Sequence, residues 1–278
     1  QGEFEGHMSD TFLILGGNGV FGVYAADHLL SLGKKVICVG RNPEKPPVFT
    51  LGVNLHPKYS YHQIHVAYEQ DRLFELFDKE KPEVIVNFAA LAYATSWKDS
   101  WKYYDTNVTA LAKMTEFLTG KAYLEKFVHI GSSEIYGSVD KPSNEETAPR
   151  PSSPYSVSKV AGDFHLLSLR NFPFNIIRPS NCYGAGQQVY RINPKAVVYA
   201  LTGKKLQLYG NKHKSYLHAT DLAKAVHLVS EKGKLSEIYN VGPETDISML
   251  ELVEIVQSEV GVNGLYEMVD ERFGEDDK

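Results

Sequence analysis

The sequence predicts an α/β protein, a doubly wound parallel sheet carrying a smaller C-terminal lobe, and three observations predict it. Short apolar runs bounded by turn residues alternate with segments of helical period up to about residue 180. A glycine-rich turn, Gly16 to Gly22, joins the first apolar run to the first helical segment. Past residue 180 the alternation loosens into shorter elements, as a lobe built onto a sheet would.

Taken along the chain, residues 11–16 (TFLILG), 20–33 and 35–40 (KVICVG) read as strand, helix and strand. That unit builds a parallel sheet, because a crossover helix returns the chain to run in the same direction. Residues 82–91 and 125–133 are near-continuous apolar runs, the pattern of strands covered on both faces, and 174–180 (FNIIRPS) adds another. Helices are expected over 70–80, 97–119 and 155–170. The later segments are 190–203, 206–210, an amphipathic helix over 221–231, then 237–242 and a helix over 248–260. They read as a lobe interleaved with the sheet, which gives a first domain over 8–180 and a second over 181–278. Residues 140–154, polar and proline-rich, read as a surface loop of the kind that carries binding residues. The leading QGEFEGH before Met8 reads as a remnant of expression and enters no part of the fold reading.

At 278 residues and 43% apolar content the chain buries a substantial core. Its net charge of −5, with Lys and Arg dispersed, argues against a nucleic-acid surface and for a small ligand. No apolar run approaches the ~18 residues that cross a bilayer, so no membrane partner is expected. Two cysteines, Cys38 and Cys182, lack metal-ligand spacing and read as the reduced thiols of a cytoplasmic protein without a metal site.

The stretch LGGNGVFG sets Gly16, Gly19 and Gly22 between the first strand and its helix. Glycine there permits a tight turn and the close approach of a pyrophosphate, whose charge meets the helix N-terminal amides. In a strand–turn–helix setting this reads as a dinucleotide site, a purely structural turn being the plainer alternative. The second strand ends Gly40-Arg41-Asn42, without the acidic residue that holds the ribose hydroxyls of NAD. Arg41 can neutralise a 2′-phosphate. The expected cofactor is NADP, with NAD as the alternative.

Tyr155 and Lys159 lie four apart in a helical segment and therefore share a face. A phenol is a poor base near neutral pH, and a neighbouring ammonium favours its phenolate. A Tyr/Lys pair at this spacing is common on surfaces. Ser132, at the end of an expected strand, changes the reading, because its hydroxyl can hydrogen-bond the same substrate oxygen that Tyr155 deprotonates.

GGNGVFG, NFAA (87–90), TNVTAL (106–111), SSEIYG (132–137), YSVSK (155–159) and RPSNCYG (178–184) occur in that order. Together they resemble the extended short-chain dehydrogenase/reductase family, in its nucleotide-sugar 4,6-dehydratase and epimerase group, over nearly the whole chain from Met8. The resemblance implies a Rossmann domain for NAD(P), a smaller C-terminal lobe for a nucleotide-diphosphate sugar, and a homodimer; the helices near 97–119 and 155–170 are expected to pair in its two-fold interface. It implies that Gly16, Gly19, Val20, Phe21, Gly22, Ala89 and Ala90, with Arg41, Tyr155 and Lys159, hold the cofactor. Ser132, Tyr155 and Lys159 become the catalytic hydroxyl, base and helper lysine.

Glu134 bears on which reaction is run. A 4-epimerase returns hydride to the other face of a C4 ketone and needs no further base. A 4,6-dehydratase must also remove the C5 proton and help the C6 hydroxyl leave, which calls for a carboxylate beside the sugar. SSEIYG resembles the dehydratase version of this stretch, with Ser133 where many relatives have an Asp acid. Uronate decarboxylases share the Ser-Glu-aliphatic-Tyr-Gly pattern, so the expectation is a dehydratase, with epimerase and UDP-glucuronate decarboxylase as alternatives. A non-catalytic nucleotide-binding regulator is the remote alternative. A structural carboxylate pairing with a cation is the plain reading of Glu134.

For the sugar nucleotide, the resemblance implies Asn181 at the diphosphate, and Arg191, Lys195 and Lys214 supply cations near it. Lys214 stands where relatives often have Arg. The closing DERFGEDDK resembles a dehydratase segment in which Arg272 and Gly274 match, and relatives normally continue several dozen residues further. Tyr93 and Trp97 are candidates to pack on a sugar face. UDP-, GDP-, dTDP- and CDP-linked sugars all remain open.

Overall fold

Strand β1 (Thr11–Leu15) is the centre from which the fold grows in both directions. The computed structural model describes residues 9–92, 99–138 and 141–269, so Tyr93, Trp97 and Arg272 lie outside the described residues. After β1 come α1 (Val20–Ser31), β2 (Lys35–Gly40), β3 (Tyr59–Gln63), α2 (Gln70–Glu80) and β4 (Val84–Asn87). The second half of the sheet domain adds α3 (Trp101–Tyr104), a π turn (Asp105–Thr109), α4 (Ala110–Leu118), β5 (Lys126–Ile130), a 3-10 turn (Ser133–Tyr136), α5 (Pro154–Ser168) and β6 (Phe174–Pro179). Four short strands and two helices follow: β7 (Asn181–Tyr183), α6 (Ile192–Leu201), β8 (Leu206–Tyr209), β9 (His213–Lys214), β10 (Tyr216–His218) and α7 (Ala219–Lys232). The remainder is β11 (Ile238–Val241), β12 (Ile247–Ser248), α8 (Met249–Val260) and β13 (Tyr266–Val269).

The main sheet has seven parallel strands in the order β11-β6-β5-β4-β1-β2-β3. The order reverses between β1 and β4, and the crevice beyond the strand ends at such a switch point is where doubly wound folds bind ligands. Alternation along β1 sorts its side chains between two cores. Leu13 and Leu15 join Leu73 and Phe77 of α2 with Leu111 and Met114 of α4. Phe12 and Ile14 join Ala26 and Leu29 of α1 with Leu222 and Val226 of α7 on the other face. This two-sided cover is why the central strands read as unbroken apolar runs.

Three differences from the sequence reading have physical reasons. The strand β3 was not expected: as the edge strand it is half-buried, and its Tyr59-Ser60-Tyr61-His62-Gln63 turns only Tyr59 and Tyr61 to the α1-side core. The strand expected over 82–91 stops at Asn87, because Phe88 to Leu91 leave the sheet and line the crevice. The helix expected over 97–119 is interrupted by the π turn, where an extra residue per turn re-aims Asn107.

Beyond residue 180 the chain divides its loyalties. The helix α7 packs on α1, and β11 completes the main sheet beside β6. The rest forms a small lobe in which α6 and α8 cover a core of Ala196, Leu206, Leu208 and Val253, with β13 pairing β8. The parallel pair β7/β10 and the antiparallel pair β9/β12 connect it to the sheet end.

Candidate active site

The turn after β1 is shaped for a close-fitting ligand. Gly16 has φ +78°, and a Cβ there would sit 2.9 Å from the backbone of Phe88 and of Ala89 across the switch point. A Cβ on Gly22 would press on the Gly16 carbonyl and lie 2.8 Å from Gly17 Cα, so only glycine lets α1 start this close beneath the turn. Gly19 caps α1 with no side-chain hydrogen bond, leaving the first amides of a twelve-residue helix to face an anion. These features fit a dinucleotide pyrophosphate.

A cleft of about 360 Å³ opens above this turn. Gly16, Gly19, Arg41, Ala89 and Ala90 line it, as do Lys45, His65 and Thr106, which sequence reasoning missed. Phe21 packs against the α1-side core instead, and Gly22 lies beneath the turn. Lys45 follows an unremarkable loop, and His65 follows the strand that was itself not expected, so neither carried a signal. At the ribose end, the Tyr61 hydroxyl sits between the carbonyls of Gly40, at 3.0 Å, and Asn42. Desolvation lowers the pKa of Lys45, and desolvation followed by the nearby Arg41 charge lowers that of His65.

Across the cleft, the end of β5 and the start of α5 bring the predicted catalytic residues together. Ser153 and Ser156 form a reciprocal capping box and Pro154 occupies the first turn, which fixes where α5 begins and so where Tyr155 and Lys159 point. Ser132 caps the 3-10 turn by accepting a hydrogen bond from the Glu134 amide at 3.1 Å. That turn leaves the Ser133 side partly covered and Glu134 exposed. Burial, then the Glu134 charge, pushes the Tyr155 phenol up, while a hydrogen bond with Ser132 and the Arg191 charge pull it down. Ser132, Glu134, Tyr155 and Arg191 are thus one electrostatic cluster.

Lys159 is 2% exposed and donates to the Ile130 carbonyl at 2.6 Å. Burial brings its ammonium down to about 8, with the Asp163 charge opposing. A lysine so placed can change charge near neutral pH. Asn107, from the π turn, ties the walls together: it exchanges hydrogen bonds with the Leu91 backbone at 2.9 and 3.1 Å and donates to the Ser158 hydroxyl at 2.9 Å.

The lobe residues are less convergent. Asn181 turns its amide to the Ser215 carbonyl at 3.3 Å. Arg191 precedes α6 and is near enough to Tyr155 to act on it, whereas Lys195 lies one turn on with its ammonium over the Tyr199 ring. Lys214 is exposed on the β9/β12 ribbon. Cys38 is buried against the glycine turn and its thiol is pushed up to about 12 by desolvation, so it is an inert packing group.

Known proteins share this architecture. The dTDP-D-glucose 4,6-dehydratase of Dictyostelium discoideum is 29% identical over 265 residues, which is 87% of this chain and 60% of that one. The human protein of the same name is 31% identical over 66% of this chain and 54% of its own. The chain therefore spans about half to three fifths of the length of these curated relatives. Among solved structures, dTDP-glucose 4,6-dehydratase from Bacillus anthracis in complex with NAD superposes with a TM-score of 0.84 at 30% identity, covering 94% of this chain and 84% of that one. The dTDP-glucose 4,6-dehydratase of Streptomyces venezuelae with NAD bound gives 0.85 at 25%, covering 95% and 86%. With the glycine turn, the switch-point cleft and the Ser132–Tyr155–Lys159 group in place, and with the family model matched over residues 12–242, the chain belongs to the NAD dependent epimerase/dehydratase family.

Proposed function

We propose that this protein is a nucleotide-sugar 4,6-dehydratase that converts a nucleotide-diphosphate hexose to its 4-keto-6-deoxy form. The observation that carries the reading is Glu134: the 3-10 turn presents it free of the core, beside the Tyr155 phenol, where a sugar would lie between the cleft and α6. Ser132 and Tyr155 hydrogen-bond the C4 oxygen, and Tyr155 takes its proton, helped by the positive charge of Lys159. Glu134 removes the C5 proton, acidified by the C4 ketone, and passes it to the C6 hydroxyl, which leaves as water, since a serine at 133 is too weak an acid for that task. The proton that Tyr155 took from the C4 hydroxyl goes back to C5 when C6 is reduced, so the net change is the loss of one water. The cofactor, when bound, supplies the acceptor for hydride from C4 and its donor to C6. Arg191, which acts on Tyr155, supplies the first charge for the diphosphate; Lys195 and Lys214 would add to it on swinging away from the Tyr199 ring and in from the rim, and Asn181 on releasing the Ser215 carbonyl.

The finer cofactor reading is NADP: Arg41 and Lys45 flank the ribose end of the cleft, and Gly40 brings no carboxylate there. The relatives crystallised with NAD keep NAD as the alternative. A homodimer is the proposed assembly. Trp101 (54% exposed) and Tyr104 on α3 and Val157, Phe164 (52%) and Leu167 on α5 are uncovered apolar side chains on two helices in mutual contact.

The test is mass spectrometry of reactions with dTDP-glucose first and UDP-, GDP- and CDP-hexoses beside it, each with NAD+ and NADP+. Loss of water in the wild type, absent in Glu134→Gln, is the expected result. Unchanged mass with a C4 epimer would make the enzyme an epimerase, and loss of carbon dioxide from a uronic acid would make it a decarboxylase.

A further inference from the structure

Behind the catalytic residues lies a chain of buried polar groups that the mechanism above does not use. It starts at the cofactor wall, where the Ala89 amide donates to Asn87 Oδ1 at 3.1 Å. That bond leaves the Asn87 amide nitrogen to meet His129 Nδ1 at 3.2 Å, so Nδ1 is the acceptor and the His129 proton sits on Nε2. Nε2 faces Asp163 Oδ1 at 3.9 Å. The other oxygen of Asp163 accepts from Arg178 Nε at 2.8 Å. Arg178 Nη1 donates to the Tyr136 hydroxyl at 2.9 Å, and Tyr136 donates to Asn240 Oδ1 on β11 at 2.9 Å.

Asp163 is the hub of this chain. It lies one helical turn after Lys159, is 0% exposed, and its Oδ1 has no hydrogen-bond partner among the described residues. Gly131, between β5 and the catalytic Ser132, leaves it room: a Cβ there would lie 3.1 Å from Asp163 Oδ1 and 3.1 Å from Arg178 Cγ. A buried carboxylate with one cation at hydrogen-bond distance and a second one turn away is costly to assemble unless both are needed.

We propose that Asp163, oriented by Arg178, is a positioning residue that keeps the buried Lys159 in its ammonium form and ties the Ser133–Tyr136 turn to α5. Asp163, one helical turn from Lys159 and held by Arg178 of β6, opposes the burial that favours the neutral amine, and through Arg178 and Tyr136 the same carboxylate anchors the turn that carries Glu134. The titratable groups facing Lys159 agree with this assignment. Asp163 and Tyr155 lie on its own helix, neutral His129 faces it from β5, and Arg178 reaches it from β6 only through Asp163. Burial pushes the Asp163 carboxyl up, and the charges of Arg178 and Lys159 pull it down.

The inference rests on the reading of Lys159 as the helper of Tyr155, and the test separates the two. Full-length protein labelled with 13C at the lysine ε carbons is titrated by NMR, the Lys159 resonance being assigned by its loss in Lys159→Met. Asp163→Asn is expected to move the Lys159 midpoint acidwards by about one pH unit. Because Asp163→Asn strands a buried guanidinium, the pair Asp163→Leu with Arg178→Met, which removes both charges at similar volume, is titrated beside it and is expected to move the midpoint in the same direction. An unmoved midpoint in the folded variants overturns the assignment. Turnover is then followed against pH. A high-pH limb that moves with the midpoint supports the coupling to chemistry, and a moved midpoint with an unmoved limb overturns the helper role of Lys159 alone.

Discussion

Cofactor choice is the property most open to a single decisive perturbation, Arg41→Ala. Arg41 is exposed at the mouth of the cleft, so its attraction to a 2′-phosphate is weakened by solvent. An exposed ion pair contributes about 0–1 kcal/mol and a charge-assisted hydrogen bond about 1.5–3 kcal/mol, which together place the loss near tenfold in NADP+ affinity. NAD+ affinity should be unchanged, since NAD+ has no 2′-phosphate. The complementary change is Gly40→Asp, which would supply the missing carboxylate. Its Cβ would lie 2.7 Å from the Tyr61 hydroxyl and 3.1 Å from Asn18 Cβ, so alone it should lower stability by about 1–3 kcal/mol without improving NAD+ binding. Adding Tyr61→Phe removes the obstructing oxygen, and the double variant should then bind NAD+ more tightly than the parent. Isothermal titration calorimetry with both dinucleotides measures all of these. Tighter binding of NAD+ than NADP+ by the wild type, with both weakened equally in Arg41→Ala, would refute the reasoning.

Three further outcomes are expected. Gly22→Ala forces α1 away from the glycine turn and should cost about 1–3 kcal/mol in chemical denaturation while abolishing dinucleotide binding. Lys159 has a folded pKa of about 8 against an ordinary 10.5, so between those values the unfolded chain holds a proton that the folded one has released. Stability therefore rises with pH across that window. The wild type should gain up to about 3 kcal/mol relative to Lys159→Met between pH values below 8 and above 10.5, read from urea melts. Phe164→Asp, placing charge on the uncovered face of α5, should yield a monomer in analytical sedimentation while the wild type sediments as a dimer.

The sheet was legible in the sequence wherever burial was two-sided. The runs at β1, β2, β4, β5 and β6 are apolar because helices cover both faces, and that cover leaves no other pattern available. The edge strand β3 answers to one face only, so its Tyr/Ser/Tyr/His alternation was lost among loop residues. In the site, Ser132, Tyr155 and Lys159 could be read because their chemistry needs those residue types at that spacing. Asp163 and Arg178 could not, since an acid in a helix and an arginine in a strand read as surface charges until the fold buries them against each other. The reach of Arg191 toward Tyr155 likewise depends on how the lobe folds back over α5, which no local pattern encodes.

The late arrival of β11 has a consequence for how the molecule is made. Strand β6 ends at Pro179, yet its outer partner begins only at Ile238, after the chain has left to build β7 to β10 and α7. On a ribosome adding ~5–20 residues each second, β6 waits for several seconds as an open edge with apolar residues on both faces. Until α7 docks beside it, α1 is the one helix that covers the Phe12–Ile14 side of the sheet among the described elements of that core. A nascent chain stalled anywhere between Ser180 and Glu237 would therefore present an unpaired parallel edge, the surface on which strands of neighbouring chains add. Synthesis of this protein should depend on holding chaperones most strongly over that interval, and the main sheet should complete in one late step when β11 docks, before α8 and β13 close the small lobe.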